Sequence, residues 1–427
     1  MTPRGPSAKV SAVGRFLTGL PGALASRVLG SRNRLPRWVN RSIDYVADHP
    51  ESLPGRLAAL SLGRISDADI PPPTTVPDTP VRVYIGPTNY AAQGHAWARA
   101  LDAASPRVGA RNMAVEVPGG FAFDADTEVP VAVYHRSRRW QTDELDAVGR
   151  FTHVLFEAGR PLFGRLLGRS IEREVAELAS RGISTAFMCH GTDVRLPSSH
   201  IRRTPWSPYS DPDLYVDRLE RLARRYADQL DRFDRPIFVS TPDLLADVPR
   251  ATWCPVVVDA ARWSRPRRTV RGRIPVVAHV PSNGAVKGTT LVRPAMERLA
   301  ADGIIEYREI HGVPSRAMPD VWAEADIVLD QFRLGSYGVA ACEAMAAGSV
   351  VVGHVLEETR AVVARDTGTE LPVVEATPDT VEGVVRALAE DPSRREVLTT
   401  AGREFVAHAH DGRLSSRVLL DHWIEAT

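Results

Sequence analysis

The chain has 427 residues, 44% of them hydrophobic and 25% charged, and its 53 basic and 52 acidic side chains leave a formal charge of +1. This length exceeds what a single core serves, so two domains are expected. The balance of charge excludes a surface built throughout to neutralise nucleic acid, and no run of about eighteen uninterrupted apolar residues exists to span a bilayer. Cys189, Cys254 and Cys342 lie far apart with no Cys-x-x-Cys pair, which indicates neither a disulfide framework nor a zinc site and fits a reducing cytoplasm.

The chain opens with a basic arm. Between Arg4 and Arg64 ten basic residues face only Asp44, Asp48 and Glu51, and Phe16, Leu17, Leu20, Leu24 and Leu29 offer one apolar face for peripheral contact with an anionic membrane at its inner side. A helix packed on the body, or a loose arm, is the simpler alternative. Pro71-Pro-Pro-Thr-Thr-Val-Pro-Asp-Thr-Pro80 reads as a stiff linker, so residues 1–80 form an extension and the body starts at Val81.

From there strands and helices alternate. Val81–Ile85, Val129–Tyr134, Thr152–Phe156, Ile183–Met188 and Pro236–Val239 read as strands, with helices over Ser170–Ser180 and Leu214–Leu230. The segment around Trp253 to Asp259, followed by the basic stretch Arg262–Arg273, marks a hinge. Beyond it Ile274–Val280, Ile304–Ile310, Ile327–Leu329, Val350–Gly353 and Leu371–Val374 read as strands, with helices at Leu291–Ala300, Val339–Ala347 and Val381–Ala389. Ser415–Glu425 has helical spacing and is expected to pack back across the first half. This is an α/β chain with two parallel, doubly wound sheets, divided as 81–258 and 259–427.

In such sheets ligands sit beyond the carboxyl ends of the strands. The loop after the strand at Ile274–Val280 carries Ser282, Asn283 and Gly284 ahead of Lys287, a turn exposing N–H groups beside one cation, which suits a phosphate. Its spacing is too short for a P-loop, and a solvated lysine on a turn is the alternative. Gly335-Ser336-Tyr337-Gly338 opens the helix that bears Glu343, offering an anion the helix N-terminus and a ribose one carboxylate; a solvated helical glutamate is the plain reading. Asp330 and Gln331 end the strand between these segments. In the first half, Met188-Cys-His190-Gly-Thr-Asp193 and Asn89-Tyr90-Ala-Ala-Gln93-Gly94 follow strands and are placed for substrate contact, although His190 and Asp193 also fit a strand cap and a turn. Gly-x-Gly-x-x-Gly is missing, which removes the main argument for a nicotinamide or flavin cofactor. Asp124-Ala-Asp126 reads as a solvated loop rather than a metal signature, and His408 with His410 lacks partner ligands.

With these residues in place the chain resembles the retaining nucleotide-sugar glycosyltransferases of the GT-B fold, family 4, also called glycosyl transferases group 1. The likeness runs from about Val81 to the C-terminus and is strongest from Val276 to Gly348. It implies two facing doubly wound domains, no metal and no cofactor beyond the nucleotide-sugar co-substrate. The donor is implied on the second domain, and a carbohydrate, lipid-linked or small-molecule acceptor on the first. By the resemblance Lys287 binds the donor diphosphate, Glu343 the ribose and His190 the donor sugar. Asn89, Tyr90, Gln93, Gly94 and Asp193 then stand on the acceptor side. Two positions depart from the pattern: Ser282 replaces a basic residue, and Gly335 replaces the acid that meets donor hydroxyls, leaving Asp330, Gln331 or Asp193 as substitutes. The implied reaction is front-face transfer with retention, with domains closing about a hinge near Asp259. Two alternatives are a non-catalytic GT-B protein that binds a nucleotide or carbohydrate, and a sugar-nucleotide epimerase of the same fold.

Overall fold

A computed structural model describes residues 37–48, 52, 54–55, 65–116, 123–212, 214–265 and 274–426. The expected apolar face between Phe16 and Leu29 lies outside the described residues, as does the part of the basic stretch from 266 to 273.

Twelve strands among the described residues form two wholly parallel sheets. The first holds β1 (Val81–Gly86), β2 (Val108–Glu116), β3 (Thr127–Pro130), β4 (His153–Glu157), β5 (Ser184–Cys189), β6 (Ile237–Val239) and β7 (Thr252–Trp253), in the order β3-β2-β1-β4-β5-β6-β7. In β1, Ile85 pairs with Asn112 on one side and Leu155 on the other. Val83, Ile85 and Leu155 are fully buried, as strands covered on both faces require. The second sheet holds β8 (Val276–His279), β9 (Glu306–Glu309), β10 (Ile327–Leu329), β11 (Val350–Gly353) and β12 (Val374–Glu375), in the order β12-β11-β10-β8-β9. The strand order reverses between β1 and β4 in one sheet and between β8 and β10 in the other, and a crevice opens at each reversal.

Three sequence expectations are corrected. The strand expected over Val129–Tyr134 stops at Pro130, and Val131–Arg136 is a helix that buries Ala132, Val133 and Tyr134; a short apolar run fits either period. β2 was not anticipated, because Gly109, Arg111 and Asn112 interrupt its apolar pattern. The proline-rich stretch, read as a stiff linker, is docked on the first sheet's unit. Thr74 donates its N–H and its hydroxyl to the buried Glu144 carboxylate at 2.8 and 2.7 Å, and Pro77 fills the space over Gly109, where an added Cβ would meet it at 2.4 Å.

The end of the chain returns to the first sheet. Leu419 and Trp423 join the core cluster of Val83, Trp97 and Leu155, and the Trp423 indole N–H donates to Ser184 Oγ at 3.0 Å. A second tie is the buried Arg333, in the loop after β10. It donates to the carbonyls of Trp206 and Ser207 at 3.0 Å each and pairs with Asp211 at 2.9 Å, so the second unit grips the segment after the helix Pro197–Arg203 of the first.

Candidate active site

The second-sheet reversal carries Lys287 and Asp330. Asn283 caps the single helical turn Gly284–Lys287, its Oδ1 accepting from the N–H groups of Ala285 and Val286 at 3.1 and 3.3 Å. Those two donors are therefore consumed within the turn. Ser282 stays exposed and Gly284 packs on Thr289. What the loop does supply is Lys287, whose Nζ lies 2.5 Å from Oδ1 of the buried Asp330 at the end of β10. Gln331, next along, is a brace: its side-chain amide donates to the Ser336 carbonyl.

Gly335 has φ +66°, and a Cβ there would meet Leu356 Cγ at 2.5 Å. The acid of the family pattern thus has no room on this backbone, a physical reason for the departure seen in the sequence. Ser336 and Tyr337 are buried, and the Tyr337 hydroxyl contacts His410 Nε2 at 3.2 Å, so these two side chains hold the loop. Gly338 caps the helix Val339–Ala347 without a side chain, leaving first-turn N–H groups uncapped. One turn in, burial pushes the Glu343 carboxyl up to about 7 against the pull of Trp322, Arg262 and Lys287. Asp330 adds to the rise.

On the first sheet, His190 follows β5. The Asp193 carboxylate accepts from the N–H groups of His190, at 3.1 Å, and Gly191, at 2.6 Å, and so shapes the turn that presents the imidazole. His190 stacks on Trp97 with centroids 5.7 Å apart and meets the exposed Tyr90 edge-on at 5.3 Å. Gln93 is used internally: its amide donates to the Val257 carbonyl at 3.0 Å and accepts the Val257 N–H at 2.6 Å. Asn89 also turns inward, accepting the His95 N–H and donating to the Asp124 carbonyl. Gly94 lets its helix approach Glu157; a Cβ there would sit 3.1 Å from Oε2.

Glu157 itself was missed in the sequence. It ends β4, is fully buried, and its Oε1 lies 3.2 Å from His190 Nε2. Burial pushes its carboxyl up, while His190 and Thr88 favour the charged form. Only the apolar run before it hinted at the position, since a strand-end residue at a reversal faces the crevice. Nε2 being turned to Glu157, Nδ1 is the nitrogen left for a ligand.

A cavity of about 1340 Å³ is lined by Tyr90, His190, Gly191, Thr192 and Asp193 among other first-half residues, and by Val339, at the start of the Glu343 helix, as its one residue from the second half; Lys287, Asp330 and Glu343 do not line it. Among the described residues no group of three or more His, Cys, Asp or Glu side chains is arranged to hold a metal ion. His408 donates to the Thr367 carbonyl, and His410 donates from Nδ1 to the Val256 carbonyl and accepts the Tyr337 hydroxyl at Nε2. No described helix is long and apolar enough to cross a membrane.

No family model matches the chain, and no curated protein matches its sequence. Solved structures do match its fold. Sucrose-phosphate synthase from Thermosynechococcus elongatus aligns at 12% identity with a TM-score of 0.53, covering 79% of this chain and 96% of its own. Anabaena HepE in complex with UDP and glucose aligns at 11% identity and a TM-score of 0.48, over 81% of this chain and 99% of its own. WaaG, a glycosyltransferase of lipopolysaccharide biosynthesis, aligns at 12% and 0.48, over 80% and 99%. With two parallel doubly wound sheets of seven and five strands, the chain has the GT-B architecture of glycosyltransferases.

Proposed function

We propose that the protein transfers a sugar from a nucleoside-diphosphate sugar to an acceptor hydroxyl, with retention and without a metal. The observation that carries this reading is that His190 and Val339, the first residue of the helix bearing Glu343, line the same cavity. Lys287 supplies the cation for the diphosphate, first-turn N–H groups of the helix Val339–Ala347 add donors, and Glu343 accepts from the ribose hydroxyls. His190, fixed by Asp193 and Glu157, holds the donor sugar.

In the front-face reaction the bond from the anomeric carbon to the diphosphate oxygen breaks, and its electron pair stays on the leaving diphosphate. The acceptor oxygen bonds to the same face of that carbon, and the acceptor proton passes to a leaving phosphate oxygen. Lys287 stabilises the charge that develops there. Lys287 also pairs with Asp330, so a bound diphosphate shares or competes for that cation with the carboxylate.

The test is a thermal-shift panel of nucleoside diphosphates and their sugars on wild type, Lys287→Ala and Glu343→Ala, because a ligand of the native state raises stability. At least one diphosphate should stabilise wild type, with most of that shift gone in both variants. Equal shifts in all three proteins would contradict the assignment. Release of the diphosphate that depends on an added acceptor distinguishes transfer from a binding protein or an epimerase.

A further inference from the structure

We propose that Tyr90 is a stacking platform for the acceptor, which then presents a ring face, sugar or aromatic, beside the hydroxyl that receives the transferred group. Assigning the ring to the acceptor rests on the transfer reading above; the ring site itself does not.

Tyr90 is held in a strained loop. The chain passes from β1 into the helix Gln93–Ala104 through Ala91 and Ala92, whose φ values are +51° and +62°. Neither is glycine, and left-handed conformations of this kind persist only where the surroundings impose them. Bonds on both sides do so. Asn89 accepts the His95 N–H at 3.1 Å and donates to the Asp124 carbonyl at 2.8 Å, while Gln93 exchanges two bonds with Val257 at 3.0 and 2.6 Å. The ring between these anchors is nevertheless left in the open: Tyr90 is 46% exposed and lines the cavity. A backbone strained to hold an aromatic ring in that position serves a contact that the fold itself does not supply.

The neighbours of the ring give the class of ligand. Tyr90 meets His190 at 86° with centroids 5.3 Å apart, and the fully buried Trp97 stacks on the same imidazole at 5.7 Å. Of these two rings in contact with His190, only Tyr90 lines the cavity, and Thr192, Ser240 and Thr241 add hydroxyl groups to the lining. Such a lining suits a ring that is apolar on its face and polar at its rim. A pyranose offers its C–H groups as that face; an aryl ring offers it throughout. The site belongs to the acceptor because Lys287 and Glu343, assigned to the donor nucleotide, are not in the lining, and Val339 is its one residue from the second half. A donor held by the second half leaves this first-half space to the other substrate.

The test is a saturation-transfer NMR titration of phenyl glucoside, methyl glucoside, cresol and the open-chain sorbitol into the full chain as wild type, Tyr90→Phe and Tyr90→Ala. All four probes are neutral, which keeps the lining arginines Arg160 and Arg225 out of the comparison. The side chain is half exposed, so folding should be retained, which thermal unfolding verifies. Phenyl glucoside should bind wild type and Tyr90→Phe alike, and Tyr90→Ala at least about 3-fold more weakly, as expected for a lost ring contact. Methyl glucoside and cresol carry its two rings separately, and the one whose affinity falls in Tyr90→Ala identifies the ring that stacks. Sorbitol should show no dependence on residue 90. Failure of every ring probe to bind wild type, equal affinity in Tyr90→Ala, a loss in Tyr90→Phe as large as in Tyr90→Ala, or an equal loss for sorbitol overturns the stacking role. A nucleoside-diphosphate thermal shift that disappears in Tyr90→Ala would move Tyr90 to the donor and overturn the acceptor assignment. If ring probes bind through Tyr90 while no nucleotide stabilises the protein, the transfer reading fails and the ring site stands.

Discussion

Replacing Lys287 with methionine should damage folding and nucleotide binding together, and a second substitution should separate them. Lys287 and Asp330 form an ion pair at 2.5 Å, with side-chain exposures of 16% and 4%. Breaking a fully buried pair costs about 3–5 kcal/mol, and water reaching the lysine reduces this to about 2 kcal/mol for Lys287→Met, most of it from the carboxylate left alone. At ~2–4 °C per kcal/mol for a domain of roughly 150–250 residues, melting should fall by about 4–8 °C. A diphosphate that loses its charged partner gives up about 1.5–3 kcal/mol, or about 10- to 150-fold in Kd. Lys287→Met/Asp330→Asn removes the orphaned charge, so its stability should return to within about 1 kcal/mol of wild type. Its affinity for the diphosphate that best stabilises wild type should stay at the level of the single variant. Calorimetric titration beside thermal unfolding reads both quantities. Recovery of nucleotide affinity in the double variant would show that Lys287 acts only by holding Asp330, and would refute its diphosphate role.

Three further outcomes follow from the site. Glu157→Gln keeps shape but removes the charge 3.2 Å from His190; as a positioning effect it should lower kcat by about 10- to 100-fold with donor KM nearly unchanged, whereas a KM change alone would mean a binding or purely structural role. Gly335→Asp should not restore the acid of the family pattern. With φ +66° and Leu356 Cγ at 2.5 Å from the new Cβ, it should cost about 1–3 kcal/mol, and a stable variant with tighter donor binding would refute that account. The Glu343 carboxyl stands at about 7 in the folded chain against an ordinary 4.5, so between those values the folded protein keeps a proton that the unfolded chain has released, and stability falls as pH rises through that window. Relative to Glu343→Gln, wild type should lose about 2–3 kcal/mol from pH 5 to 8 in thermal unfolding, and parallel curves would show that Glu343 is not so perturbed.

The sheets were legible because their strands are short apolar runs at regular intervals: Ile327–Leu329 and Val350–Gly353 were read to the residue. The doubly wound order then follows from alternation with helices, which places Lys287 and Asp330 on adjacent loops. What the sequence hid are pairings across long separations. Glu157 and His190 meet because β4 and β5 are neighbours, and no local pattern marks the glutamate. Nor does spacing reveal that Gln93 is committed to Val257, 164 residues away. Gly335 was visible as a departure, but its cause, the Leu356 side chain against a left-handed backbone, lies in packing alone.

That packing also bears on how a donor enters. The loop after β10 carries Asp330 and, three residues on, Arg333, whose guanidinium bonds the Trp206 and Ser207 carbonyls, the Asp211 carboxylate and the Ala285 carbonyl. The Leu334 carbonyl adds a contact to His200 Nε2 at 3.1 Å. Ala285 lies in the turn that leads to Lys287, so one arginine spans the loops bearing Lys287 and Asp330 and the first-sheet segment facing them. Bonds to a charged group contribute about 1.5–3 kcal/mol each, and a buried guanidinium stripped of them is costlier still. Hinge bending that parted the sheets at this edge would break the set together. Opening is therefore cheaper away from Arg333, at the cavity that His190 and Val339 both line. The donor would enter there, and closure would bring the helix N-terminus toward His190 while Arg333 keeps the Lys287 turn in place.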